Sequence, residues 1–255
     1  ERQMCIRDSP GVGPICVAKH LVDFLPSHAV VKTGGEQGIH AVSAAPYGSV
    51  SMLPVTYGYL LMLGAEGLKH VTEMAILNAN YLASSFEKLG FKILFKGKQG
   101  RVGHEMIWDC SAFNKEYGIS ELDIAKRLMD FGFHAPTLSF PVHGTLMVEP
   151  TESEPKEELD RFIEALKTIR EEMCEVAEGK ADKTDNVLKN APHTHKVLTA
   201  DEWTHTYPRS KAAYPLPWVA ENKFWPQVGR VDDGYGDRNL MCTCDPLYDY
   251  VNDEN

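Results

Sequence analysis

The spacing of apolar positions along this chain changes several times, and each change marks a different element. Leu68, Val71, Ala75, Ala79, Leu82, Phe86 and Leu89 recur at steps of three and four, which makes one continuous stripe on a helix over residues 66–89. Gly90 then fits the left-handed position that closes a helix. Just upstream, residues 52–63 read as a buried helix. Downstream the pattern shortens: residues 91–96 and 102–109 read as strands, joined by the turn Gly97-Lys98-Gln99-Gly100. Ser120 caps a helix running to Phe131, with Asp123 in its first turn and Gly132 after it. Residues 145–149 read as a strand. Ser153 then opens a helix whose first turn carries Glu154, Glu157 and Glu158, favourable to the helix dipole. Its buried face is Leu159, Phe162, Ile163, Leu166, Ile169 and Met173. The order β-β-α-β-α over residues 91–178 predicts a small α/β domain with helices covering one side of a sheet.

The flanks read differently. Residues 10–14, Pro-Gly-Val-Gly-Pro, form a rigid turn rather than a nucleotide loop, and Ile15-Cys16-Val17 is short enough for a strand. Residues 18–24 are a brief helical or irregular piece, Val30-Val31 a second strand or turn, and residues 32–38 a surface loop by composition. After Gly179 the texture changes again. Pro192, Pro208, Pro215, Pro217 and Pro226 alternate with Trp203, Tyr207, Tyr214, Trp218, Phe224 and Trp225. Aromatics at that density predict a tail that wraps over the rest of the protein instead of folding alone.

Composition narrows the function classes. The 255 residues are 43% hydrophobic and 24% charged, ordinary for a globular chain, and a net charge of -10 without a basic stripe argues against nucleic-acid binding. No apolar run is long enough for a membrane span, and the first nine residues hold no signal core. The chain does not open with Met, which points to a fragment. Six scattered cysteines build no disulfide framework, so a reducing compartment is expected. Cys242-Thr243-Cys244 is the only close pair. It lacks a second pair for zinc, although His193 and His195 are conceivable partners, and no metal is expected.

One stretch before the first long helix carries candidate chemistry: Ser43-Ala44-Ala45-Pro46-Tyr47-Gly48-Ser49. Small residues let backbone approach closely, Pro46 stiffens the path, and Gly48 can take a dihedral that other residues avoid. Ser43, Tyr47 and Ser49 offer hydroxyls beside a helix start expected near Ser49 or Ser51. Such a set can cradle a phosphate, and it is equally the composition of an ordinary serine-capped turn.

Several longer phrases occur together. They are Gly11-Val12-Gly13-Pro14-Ile15, the 43–49 stretch, Ala75-Ile76-Leu77-Asn78-Ala79-Asn80-Tyr81, Gly103-His104-Glu105 and Gly132-Phe133-His134-Ala135-Pro136-Thr137. Gly144-Thr145-Leu146-Met147-Val148-Glu149-Pro150-Thr151-Glu152-Ser153-Glu154 and Glu221-Asn222-Lys223-Phe224-Trp225-Pro226 follow, and Cys242-Thr243-Cys244 closes the series. From about Pro10 to the end, the chain resembles the C-terminal part of the glycine decarboxylase P-protein family of the glycine cleavage system.

The resemblance implies a fold-type I pyridoxal-phosphate enzyme. Members decarboxylate glycine and pass the remaining aminomethyl group to the lipoyl arm of the H-protein, with the cofactor ring as electron sink. It also implies a homodimer or an α2β2 assembly, in bacterial cytoplasm or mitochondrial matrix. The family's cofactor-linking lysine lies upstream of the matching region. Lys19 and Lys32 are not its equivalents, so no catalytic residue is expected here and the fragment should be inactive alone. Ser43, Tyr47, Gly48 and Ser49 are expected near the cofactor phosphate or substrate, and His104, His134 and Thr137 are candidate substrate contacts. Strand alternation would send His104 and Glu105 to opposite faces, and Glu149 is expected to anchor a turn.

The implied organisation has residues 1–9 unlike the family and residues 10–64 as the end of the large cofactor domain. Residues 65–90 are a linking helix, 91–179 the small α/β domain and 180–255 a wrapping extension. Two other readings stand beside it: a non-catalytic structural half of the same assembly, and a thiol or metal protein using Cys242, Cys244 and the tail histidines.

Overall fold

The computed structural model describes residues 15–240. The expectations for residues 1–14, and for Cys242 and Cys244, lie outside the described residues. The chain divides into two compact units, one ending at Val71 and the other beginning at Thr72.

In the first unit a 3-10 turn, Lys19–Phe24, is followed by a long loop, a second 3-10 turn, Val50–Met52, and the start of helix α1 (Leu53–Lys88). The loop folds tightly on itself. A Cβ on Gly34 would sit 2.2 Å from the Leu25 carbonyl oxygen, and one on Gly35 would sit 2.2 Å from the Asp23 Cα, so neither position admits a side chain. The strand expected at residues 15–17 does not form, and Val30-Val31, expected as a strand or turn, lies in a bend. A strand needs a partner ladder, and none is offered among the described residues here. Residues 53–63 are helical as expected, but they are not buried: Leu61 is 65% exposed and Met62 86%. An apolar pattern states that a face needs covering; it does not supply the cover. Helix α1 is broken at Gly64, whose backbone leaves the helical region at φ 60° and ψ -174°.

The second unit holds the core. After the buried stretch of α1 (Asn78, Ala79, Leu82, Ala83, Phe86), the order is β1 (Lys92–Leu94), β2 (Met106–Asp109), α2 (Ser111–Tyr117) and α3 (Glu121–Asp130). Then come β3 (Thr137–Leu138), β4 (Thr145–Val148) and α4 (Lys156–Ala177). The four strands form one antiparallel sheet in the order β1-β2-β4-β3, with Trp108 opposite both Ile93 and Leu146. Trp108 is fully buried and meets Phe91 at 4.5 Å and Phe86 at 5.5 Å between ring centroids, while Phe162 on α4 reaches Phe86 at 5.9 Å.

Several boundaries differ from the sequence pattern for local reasons. The second strand starts at Met106, not at residue 102, and His104 and Glu105 lie in a bend before it, so strand alternation does not apply to them. Helix α2 and strand β3 are too short to leave a periodic trace. Helix α4 begins at Lys156 with Pro155 as its N-cap, not at Ser153. Proline forces the residue before it out of the helical region. The start of α3 is as expected: Ser120 accepts from the Asp123 N–H, and the Asp123 carboxylate accepts from the Ser120 N–H, a complete capping box.

The described residues after 179 hold four short helices, α5 (His195–Leu198), α6 (Arg209–Ala213), α7 (Pro217–Glu221) and α8 (Asp233–Arg238). Tyr207, Leu216 and Trp218 pack on the core. The stronger fastening is polar. Asp123, Arg127 and Asp130 share one buried face of α3. Arg127 pairs with Glu172 at 2.6 Å and Asp130 at 2.9 Å, and donates to the carbonyls of Lys211 and Ala212. Asp130 accepts from the backbone N–H and the ring Nδ1 of His193, both at 2.7 Å, and His193 Nε2 meets the Tyr207 hydroxyl at 2.7 Å. Asp123 binds Lys189 and Arg230, each at 2.7 Å. Burial alone would raise the pKa of Asp130, but the His193 hydrogen bond and the Arg127 charge outweigh it and hold the carboxyl below its ordinary value.

Candidate functional site

A cavity of about 470 Å³ opens on the second unit, lined by residues 132–137, Met147, Val148, Glu149, Pro150, Glu154, Glu158, Leu82, Leu159 and Phe162. Its walls follow from the fold. Gly132, at φ 86°, turns the chain out of α3, and residues 133–136 cross to β3. Strand β4 pairs with β3, Thr137 opposite Met147, and delivers Glu149 and Pro150 to the rim. Asn78 in α1 donates to the Thr151 carbonyl at 3.0 Å, which ties the segment after Pro150 to the long helix.

Two of the expected substrate residues, His134 and Thr137, line this cavity. His104 does not, but its Nε2 lies 4.0 Å from a carboxylate oxygen of Glu149, which does; Glu105 stands at 3.9 Å on the same nitrogen. All three therefore gather around one end of the sheet. Glu149, expected to anchor a turn, also lines this cavity. Glu158 was missed as a lining residue. As a first-turn glutamate it reads from the sequence as a favourable dipole partner, and only the packing of α4 against the loop turns it toward the cavity.

The 43–49 stretch belongs to the first unit. The Ser43 hydroxyl donates to the Ala45 carbonyl at 2.6 Å, and His28 Nε2 lies 3.0 Å from the Ala44 carbonyl oxygen. Gly48 takes φ 70°, the left-handed dihedral that the sequence reading anticipated. Ser49 precedes the Val50–Met52 turn without a side-chain cap bond, and Tyr47 is 68% exposed. The hydroxyls of Tyr47 and Ser49 suit the acceptor oxygens of a phosphate; that of Ser43 is engaged within the loop. Among the described residues no group of His, Cys, Asp and Glu could hold a metal ion, and His193 is engaged by Asp130 and Tyr207.

The second unit is thus a mixed α/β domain with a small antiparallel sheet, and residues 71–193 match the family model described as glycine dehydrogenase, C-terminal domain. The chain is 61% identical over 242 residues to the glycine dehydrogenase (decarboxylating) of Flavobacterium johnsoniae, covering 95% of this chain and 25% of the relative. It is 56% identical to that of Bdellovibrio bacteriovorus, over 94% of this chain and 25% of the relative. It is 57% identical to the mitochondrial one of Dictyostelium discoideum, over 94% of this chain and 24% of the relative. The chain belongs to the glycine dehydrogenase (decarboxylating) family and spans about a quarter of the length of these relatives. The relatives are bacterial and mitochondrial, and among the described residues no helix is long and apolar enough to cross a membrane.

Proposed function

We propose that this chain is the C-terminal quarter of a pyridoxal-phosphate-dependent glycine decarboxylase of fold type I, which passes the aminomethyl group of glycine to the lipoyl arm of an H-protein. The observation that carries the reading is the 61% identity, over 95% of the chain, to a glycine dehydrogenase (decarboxylating). In this reading the chain completes the large cofactor domain with its first residues and adds the small domain and the extension, within a homodimer or α2β2 assembly.

Pyridoxal phosphate, when bound, would supply an electron sink for the decarboxylation. This chain's residues bind and orient. Tyr47 and Ser49 would donate to its phosphate oxygens, on either side of the turn that Gly48 makes at φ 70°. The cavity lined by His134 and Thr137 takes the substrate side, where the Thr137 hydroxyl and the His134 ring offer polar contacts between the apolar surface of Leu82, Met147, Leu159 and Phe162 and the carboxylates of Glu149, Glu154 and Glu158. Glu149, with His104 beside it, sets the charge at the rim. The linking lysine lies in the preceding part of the protein.

The test is the full-length protein with pyridoxal phosphate, glycine and lipoylated H-protein. Glycine-dependent release of carbon dioxide is expected, together with a glycine-sensitive visible absorption band. His134→Ala and Thr137→Val are expected to raise KM for glycine. A full-length protein that takes up no pyridoxal phosphate and releases no carbon dioxide would overturn the reading in favour of a structural half.

A further inference from the structure

The segment behind the cavity has no assigned role, and its contacts give it one. We propose that Arg161 and Trp218 are positioning residues for the cavity loop 132–137, through which the C-terminal extension sets the shape of the site. The proposal rests on reading the cavity as the substrate side.

The Arg161 guanidinium lies 4.4 Å from the Trp218 ring centroid and 5.7 Å from that of Phe133. Phe133 is a cavity residue and also meets Phe162 at 5.1 Å and Trp218 at 6.2 Å. The same guanidinium is bonded to Glu158, a second cavity residue. One side chain therefore touches two residues of the site and one of the extension. A planar, delocalised cation suits this place, because it can lie against aromatic faces and still bond a carboxylate in its plane. Arg161 is 41% exposed in its side chain, so the arrangement is not imposed by deep burial.

Trp218 is in turn fixed. It sits in α7, its ring 6.3 Å from Phe131, and its indole N–H donates to Glu164 on α4 at 2.8 Å. Just beyond α7, the Lys223 amine donates to the Asp130 carbonyl at 2.6 Å, at the end of α3. A Cβ on Gly132 would lie 3.7 Å from the Cβ of Phe224. The extension thus abuts the loop where it leaves α3 and again, through Arg161, at its first aromatic residue.

The experiment uses the full-length protein and two variants, Trp218→Leu and Arg161→Met, with Trp218→Phe as the conservative control. Displacing a positioned loop costs binding geometry, so KM for glycine is expected to rise on the order of tenfold in Trp218→Leu and Arg161→Met. An unchanged kcat, within about twofold, separates this from a loss of folded enzyme. Trp218→Phe keeps a ring under the guanidinium and is expected to restore most of the affinity. Amide hydrogen exchange over residues 132–137 is expected to quicken in Arg161→Met, a readout independent of activity. Arg161 is half-exposed, so if Trp218→Leu fails to fold, Arg161→Met carries the test. Unchanged KM and unchanged exchange in Arg161→Met would overturn the proposal, as would a fall in kcat alone. If His134→Ala and Thr137→Val also leave KM unchanged, the cavity reading has failed, and the exchange result alone judges whether Arg161 holds the loop.

Discussion

The side-chain amide of Asn80 brackets the backbone of Val102, donating to its carbonyl at 2.9 Å and accepting from its N–H at 3.1 Å. Val102 is buried, and the bracket replaces the strand ladder that residues 102–105 do not make. Asn80→Leu leaves a buried N–H and a carbonyl without partners and is expected to cost about 1–3 kcal/mol. Faster amide exchange at Val102 and the neighbouring bend, with little change in β4, would be the signature.

Arg127 joins α3, α4 and the extension at a point with no solvent. Arg127→Met strands the carboxylate of Glu172 inside and leaves that of Asp130 with His193 alone, and removing one partner of such a buried pair costs about 3–5 kcal/mol. Urea denaturation of the full-length protein should show residues 186–230 exposed to protease before the sheet. Arg127→Lys should not rescue it, because a single amine cannot span two carboxylates and two carbonyls.

Lys223 is expected to leave a mark at alkaline pH. Burial is the main cause that pulls its pKa down, to about 8, partly opposed by Asp130. Between pH 8 and the ordinary lysine value the unfolded chain binds more protons at this site than the folded one. The linkage slope is then positive, and stability gained from this group rises with pH across that window. Lys223→Met removes the dependence, so wild type should gain melting temperature relative to the variant between about pH 8 and 10. The neutral amine still donates to the Asp130 carbonyl, so the hydrogen bond survives the change.

Asp123 gives the opposite limb. Burial would raise its pKa, but hydrogen bonds from Lys189, the Ser120 N–H and Arg230 outweigh it and lower the carboxyl. Its contribution is present above the ordinary carboxylate value and is lost as pH falls through the lowered one. Asp123→Asn is expected to be less stable than wild type at pH 7, with the gap narrowing toward pH 3. Parallel acid unfolding curves for the two proteins would contradict this.

The capping box adds a smaller, separable effect. Ser120→Ala is expected to destabilise α3 by about 1 kcal/mol, read as faster exchange in its first turn with the cavity residues unaffected.

The sequence by itself determined those parts whose cause lies within a few residues. The stripe from Leu68 to Leu89, the Ser120–Asp123 box, the strand at 145–148 and the left-handed Gly90 and Gly132 follow from local periodicity and backbone preference. His134 and Thr137 stand in one phrase, Gly132 to Thr137, that the sequence shares with the family. Tertiary structure decided the rest. Asp123, Arg127 and Asp130 look like a solvated helix face, because a charge pattern does not reveal that a distant segment will supply partners from Lys189, His193, Lys211 and Arg230. The position of Glu158 on the cavity and the Arg161–Trp218 stack depend on contacts across the fold between elements far apart in the chain, so no short-range signal could reveal them. The reverse holds for residues 53–63, where an apolar pattern suggested burial: periodicity gives the helix, while burial requires a partner surface that the pattern does not contain.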